Sequence, residues 1–249
     1  MSWPRADDAR RFDRYITRMA KLLIVVAVLL GAFLFAGGQQ YMMARALRRA
    51  SRPLKRDQLD RLFDRLAIAA GIDRLEVRVM EQAMVNGMAT SDGGVYLTSG
   101  MVEQYRAGRI TGPELASVVA HELGHVALGH LSQRRVIAPI MLLANSSIVA
   151  ALMRVIPFFG ALLAQFVLQF IAAALSRKGE FEADAYATAL MLRAGLGAEP
   201  QATMLEKLPR LLPGGAALAG RVSWLSSHPA VPDRVAAIRS NATRWDAQA

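Results

Sequence analysis

Cysteine is absent from the 249 residues. Its absence excludes disulfides, thiolate metal sites, a cysteine nucleophile and a lipid-modified cysteine anchor, although it leaves the compartment undecided. Aromatic residues make up only 7% of the chain, and no nucleic-acid motif accompanies the formal charge of +10. The arginines are spread out and gather beside apolar segments. The basic excess therefore reads as membrane-flanking charge and solvated helix faces, with no nucleic acid as partner. Histidine is scarce as well, with 4 in the chain, and two of these fall within a single short stretch. No internal repeat or second globular domain is visible, and the length suits one sizeable core with attachments.

The stretch in question is His121-Glu122-Leu123-Gly124-His125. On a helix, positions i and i+4 lie one above the other, so both imidazoles can point at one metal ion. Zinc accepts histidine nitrogens at about 2.0–2.1 Å and favours four ligands. Glu122, beside the first histidine, is placed to take the proton from a water attacking a peptide carbonyl. The bland alternative is a polar helix face carrying two surface histidines. Val118, Val119, Leu123, Val126 and Leu128 argue for a core helix instead, where a buried histidine needs a partner. Thr111-Gly112-Pro113-Glu114 has the form of a capping box with proline in the first turn, which marks the start of this helix. His130 lies five residues past His125, about 140° round an ideal helix. It reads as a structural histidine outside the zinc shell.

Catalytic zinc generally takes three protein ligands and leaves a fourth position for water. A second acidic segment, Glu180-Phe181-Glu182-Ala183-Asp184, runs into a helical pattern. Glu180 and Asp184 share a face, and Glu182 points elsewhere. One of the two carboxylates can bind zinc while the other accepts an N–H from a metal-bound histidine. The competing reading is a charged helix start, since acidic residues favour the first turn.

His-Glu-Leu-Gly-His followed by the Ser176–Asp184 segment resembles the HtpX-like and Ste24-like membrane zinc metallopeptidases. Further segments agree. They are Val85-Asn86-Gly87-Met88-Ala89 with the glycine turn and strand after it, and Ser227-His228-Pro229 with Arg234. The resemblance covers roughly residues 55–240, and it departs at Gly87, where the family has alanine. It implies one zinc per chain, held by His121, His125 and Glu180, with Asp184 behind the ligands. Glu122 is the implied general base. His228 becomes a candidate for stabilising the oxyanion or visiting the metal, against a loop histidine capping a turn. Asn86 becomes the candidate nearest a substrate-binding strand edge, against a polar residue leaving a strand. Arg234 either orients the His228 loop or forms a surface ion pair.

Apolar runs complete the sequence. Leu22 to Ala36 is uninterrupted, extends through Gly38, and follows a basic lead of residues 1–21. It reads as a transmembrane anchor over 22–38, with a cleaved signal peptide as the rival. Basic residues flank it on both sides, so the positive-inside rule does not orient it. A second block, 136–175, reads as a hydrophobic helical hairpin that either spans the bilayer or packs on the core. The expected fold is α+β and mostly helical. It has a zincin-like metalloprotease core over 55–245 with a small sheet, an N-terminal transmembrane anchor and that hairpin. The expected function is a membrane-anchored zinc endopeptidase acting on protein or peptide substrates. The resemblance implies membrane-protein quality control and a bacterial inner membrane. A catalytically latent zinc-binding chaperone or adaptor is the alternative. Oligomeric state is not legible.

Overall fold

The computed structural model describes residues 6–55, 59–130, 159–211 and 231–246, together with positions 133, 149, 150, 154 and 156. His228 and much of the expected 136–175 hairpin lie outside these residues.

Helix α1 runs from Ala6 to Ala50. Residues 6–21 of the basic lead and the apolar stretch are therefore parts of one helix. Its apolar side chains, including Leu23, Ile24, Leu34 and Phe35, are exposed. Segment Arg10–Ala50 is long and apolar enough to cross a bilayer, and it is the one such helix among the described residues. An apolar helix that buries nothing against protein is a poor structure for water. The helix leads straight into β1 (Ser51–Pro53), which the sequence did not signal. Arg78 ties this junction down, donating from Nη2 to the carbonyls of Arg48 at 3.0 Å and Ser51 at 2.7 Å.

The spacing of Leu59, Leu62, Phe63 and Leu66 predicts a helix over 57–70 stopped by Gly71, and helix α2 (Asp60–Ala70) does end at Gly71, with Phe63 and Leu66 buried. Strand β2 (Val77–Met80) follows, then the hairpin of β3 (Gly87–Ala89) and β4 (Val95–Thr98). The hairpin closes where the sequence places it: Thr90 N–H donates to Gly94 O at 2.9 Å. Sheet order is β1-β2-β4-β3. The β1–β2 and β3–β4 pairs are antiparallel, and β2–β4 is parallel. This leaves β3 as an edge strand.

Helix α3 (Ser99–Arg106) leads to α4 (Gly112–Ala127). The capping box is complete: Thr111 N–H donates to Glu114 Oε2 at 2.7 Å, and Glu114 N–H donates to Thr111 Oγ1 at 3.3 Å. Among the described residues three helices follow: α5 (Gly160–Arg193), α6 (Glu199–Leu211) and α7 (Val231–Asp246). Helix α4 is the hub, packing against α2, α5, α6, β3 and β4. The core joins Phe63 and Leu66 of α2, Val79, Val95 and Leu97 of the sheet, Leu115 and Val119 of α4, Met191 of α5 and Ile238 of α7.

Candidate metal centre

Helix α4 carries His121, Glu122 and His125, all buried. Their burial follows from the apolar residues around them, which force this face inward. Helix α5 brings up Glu180 and Asp184, each 2% exposed. Glu180 lies well inside α5, many turns from its start at Gly160. The charged-helix-start reading therefore does not apply to it. The i, i+4 spacing does its expected work on both helices and sets the His121–His125 pair face to face with the Glu180–Asp184 pair.

The helices meet closely at Gly124. A methyl group there would come within 2.9 Å of the Ala183 carbonyl oxygen and 3.1 Å of its Cα. The glycine inside the His-Glu-Leu-Gly-His stretch thus has a structural reason. Without it, α5 could not approach near enough to present Glu180.

Two imidazole nitrogens and the two carboxylate oxygens of Glu180 face one another. His121 Nε2 and His125 Nε2 are 3.2 Å apart. Glu180 Oε2 is 3.4 Å from His121 Nε2, and Oε1 is 3.5 Å from His125 Nε2. Four donors held about 2.1 Å from a tetrahedral ion stand about 3.4 Å apart. The His121–His125 spacing matches one edge of a zinc coordination shell, each imidazole has one Glu180 oxygen at a similar distance, and one ligand atom from each of the three residues lies within 4.8 Å of the others. The chemistry agrees, since two imidazoles and a carboxylate are a zinc donor set. His121, His125 and Glu180 form a cluster able to hold a metal ion.

Behind this triangle His121 Nδ1 lies 2.9 Å from Asp184 Oδ1. Asp184 is held in turn by Arg234, which donates from Nε to Oδ2 at 2.6 Å and from Nη2 to Oδ1 at 2.9 Å. Arg234 Nη1 also stands 3.2 Å from Glu180 Oε2. At 1% exposure, Arg234 is a buried cation and not half of a surface pair. Gln201 and Thr188 complete the setting. Gln201 Nε2 donates to the Asp184 carbonyl at 3.1 Å, and Thr188 Oγ1 donates to the same carbonyl at 2.8 Å.

The charges follow from these contacts. Burial alone would raise the Asp184 carboxyl, but Arg234 and His121 hold it below the usual carboxylate range. Burial would also lower the His121 imidazole. Hydrogen bonds to Asp184 and Glu180 outweigh that and raise it to about 9. The proton so retained is the one a metal ion displaces. Desolvation works against the Arg234 charge as well, and Asp184, Glu180 and Glu122 keep it cationic.

On the His125 side, His130 is a structural histidine outside the ligand cluster, as the sequence suggests, but it stands much nearer His125 than an ideal helix allows. The ideal-helix angle puts His130 far from His125, yet their Nδ1 atoms are 3.0 Å apart. Helix α4 ends at Ala127, and Gly129 takes φ +69°, a left-handed turn that swings the chain back. His130 Nε2 then lies 3.1 Å from Glu182 Oε2. Glu182 does point away from the ligand triangle, and it meets His130 there. The signal was in the sequence as Gly129, one residue before His130.

Edge strand β3 runs beside α4. A methyl group on Gly87 would lie 2.9 Å from Val118 Cγ1 and 3.6 Å from Glu122 Cγ. Asn86 precedes it, and the Asn86 carbonyl accepts from Thr98 N–H at 3.0 Å and Thr98 Oγ1–H at 3.1 Å. Its backbone is thus spent on β4. The Gly87 departure is a close approach to the helix that carries Glu122.

Two histidines and an acid on one helix, completed by a glutamate from a second, define the gluzincin kind of zinc site. Residues 53–242 match the model of peptidase family M48, and the chain belongs to that family of zinc-dependent metallopeptidases. Metalloprotease LoiP of Escherichia coli (strain K12) is 29% identical over 159 residues, covering 62% of this chain and 58% of that protein. Protease HtpX of Chromohalobacter salexigens is 28% identical over 214 residues, covering 72% of this chain and 70% of that protein. The chain thus spans little more than half the length of LoiP.

Proposed function

We propose that the chain is a membrane-anchored zinc endopeptidase. The observation that carries this reading is the triangle of His121, His125 and Glu180, with Glu122 buried on the same helix, in a member of peptidase family M48. Zinc held there would polarise the scissile carbonyl and lower the pKa of the attacking water. Glu122 takes one proton from that water as its oxygen bonds to the carbonyl carbon. It passes the proton to the amide nitrogen as the C–N bond breaks. Asp184 holds His121 by its Nδ1–H. Arg234 offsets the charge of the two buried carboxylates beside it.

An extended substrate fits the free edge of β3, which adds backbone hydrogen bonds in the β-augmentation mode. Asn86, at the start of that strand, lies at the head of this edge. His228 is assigned to the developing oxyanion, a role that suits an imidazole near negative charge. Residues 22–38 serve as the membrane anchor and residues 55–245 as the peptidase domain, with the 136–175 hairpin inside it. The exposed apolar surface of α1 supports the anchor, and so do Leu162 and Phe166 at the start of α5. By the resemblance to the HtpX-like metallopeptidases, damaged membrane proteins are the proposed substrates and a bacterial inner membrane the proposed place.

The test measures zinc content and casein cleavage of the purified chain in mild detergent, comparing wild type with Glu122→Gln. One zinc in both proteins, with cleavage reduced at least about 100-fold in the variant, is the expected result. Zinc in both without cleavage in either would point to a latent zinc-binding protein. A folded wild type that takes up no zinc would end the proposal.

A further inference from the structure

The two zinc-facing histidines are backed differently, and the difference reaches residues that the motif does not contain. His125 commits Nε2 to the ligand triangle, 3.2 Å from His121 Nε2 and 3.5 Å from Glu180 Oε1. A neutral imidazole that ligates through Nε2 carries its proton on Nδ1. That Nδ1 lies 3.0 Å from another ring nitrogen, Nδ1 of His130. Two ring nitrogens at this distance form a hydrogen bond only if one bears a proton and the other does not. His125 must be the donor, so His130 accepts at Nδ1 and carries its own proton on Nε2. His130 Nε2 is 3.1 Å from Glu182 Oε2, and an ionised carboxylate can only accept. One tautomer assignment thus satisfies every atom from Glu182 to the metal-facing nitrogen.

We infer that His130 and Glu182 are positioning residues that fix the tautomer and ring orientation of His125, and so set how tightly the site holds its metal. The inference rests on the zinc-site reading given above. Two features support a built arrangement. Gly129 makes the left-handed turn that returns His130 to α4. Glu182, on α5, is two residues from Glu180, so one helix delivers both a ligand and the end of the relay. The His125 and His130 rings meet edge to face, with centroids 5.2 Å apart and planes at 62°. The outer end is open to solvent: the Glu182 side chain is 45% exposed, and Lys178 Nζ stands 3.5 Å from its Oε1.

The experiment measures the zinc dissociation constant of the full chain in mild detergent, by competition with a fluorescent chelator. It also records thermal unfolding of the same proteins stripped of metal. His130→Leu removes the acceptor and should weaken zinc about 10–100-fold. His130→Gln can accept from His125 and donate to Glu182, so it should recover most of that loss. Glu182→Ala should fall between wild type and His130→Leu. Stripped His130→Leu and His130→Gln should melt together. Wild-type zinc affinity in His130→Leu would overturn the inference. Equal zinc loss in the leucine and glutamine variants, tracking a fall in stripped-form melting, would overturn it in favour of simple packing. A wild type that binds no zinc would remove the parent reading and this one with it, and that outcome is distinct from either of the others.

Discussion

The two sides of the metal centre are built from different materials. Behind His121 stands Asp184, 2% exposed and clamped by a guanidinium that is itself 1% exposed. Behind His125 stands a second histidine and then a half-exposed glutamate. On the first side a carboxylate meets the ligand directly, and its charge is balanced in the interior by Arg234. On the second, an imidazole carries the contact outward to a carboxylate that water can solvate. Interior charge is costly to strand, whereas charge at the surface is screened. The His121 side is therefore bound up with folding, and the His125 side can be altered with the fold intact.

Substitutions can break or sharpen this contrast. The largest effect belongs to the ligands: His121→Ala or His125→Ala should leave the purified chain without stoichiometric zinc, as metal analysis would show. Next comes Arg234→Met, which strands Asp184 and Glu180 as buried carboxylates. Breaking such a pair costs about 3–5 kcal/mol, visible as a lowered unfolding midpoint even in chelator. Glu182→Ala, its counterpart on the other side, should cost about 1 kcal/mol or less. Equal losses from these two variants would break the comparison. Gly124→Ala drives a methyl group into Ala183 and should cost about 1–3 kcal/mol. Weaker zinc binding should accompany it, because Glu180 is pushed back. Smallest of all is Arg239→Ala, which removes exposed ion pairs to Glu199 and Glu206 between α6 and α7. Zinc content should not change and the melting curve should barely move.

Local features of the sequence translated well. Thr111 and Glu114 announced the start of α4, Gly71 the end of α2, and the Gly93-Gly94 pair the hairpin. The i, i+4 pairs foretold that His121 with His125, and Glu180 with Asp184, would each share a face. What stayed hidden depends on contacts between distant parts of the chain. Nothing near Arg234 says that it will be buried against Asp184, 50 positions away. Strand β1 is three residues long and includes Pro53, so neither length nor propensity marks it. His130 stands outside the ligand cluster as a structural histidine, but its contact with His125 is not legible from an ideal helix, because Gly129 ends the helix before it. His228 falls outside the described residues and remains a matter for the proposal.

The junction of α1 with the sheet has a mechanical consequence. From Gly38, the end of the proposed anchor, the helix continues without a break to Ala50, a rise of about 18 Å at 1.5 Å per residue. Arg78 of β2 then bolts down the Arg48 carbonyl near the helix end and the Ser51 carbonyl just past it. For a chain anchored as proposed, that makes a stiff strut and not a slack tether. A strut sets a fixed standoff between bilayer and scissors. Peptide bonds within that reach would be cut, and those nearer to or farther from the surface would be spared whatever their sequence.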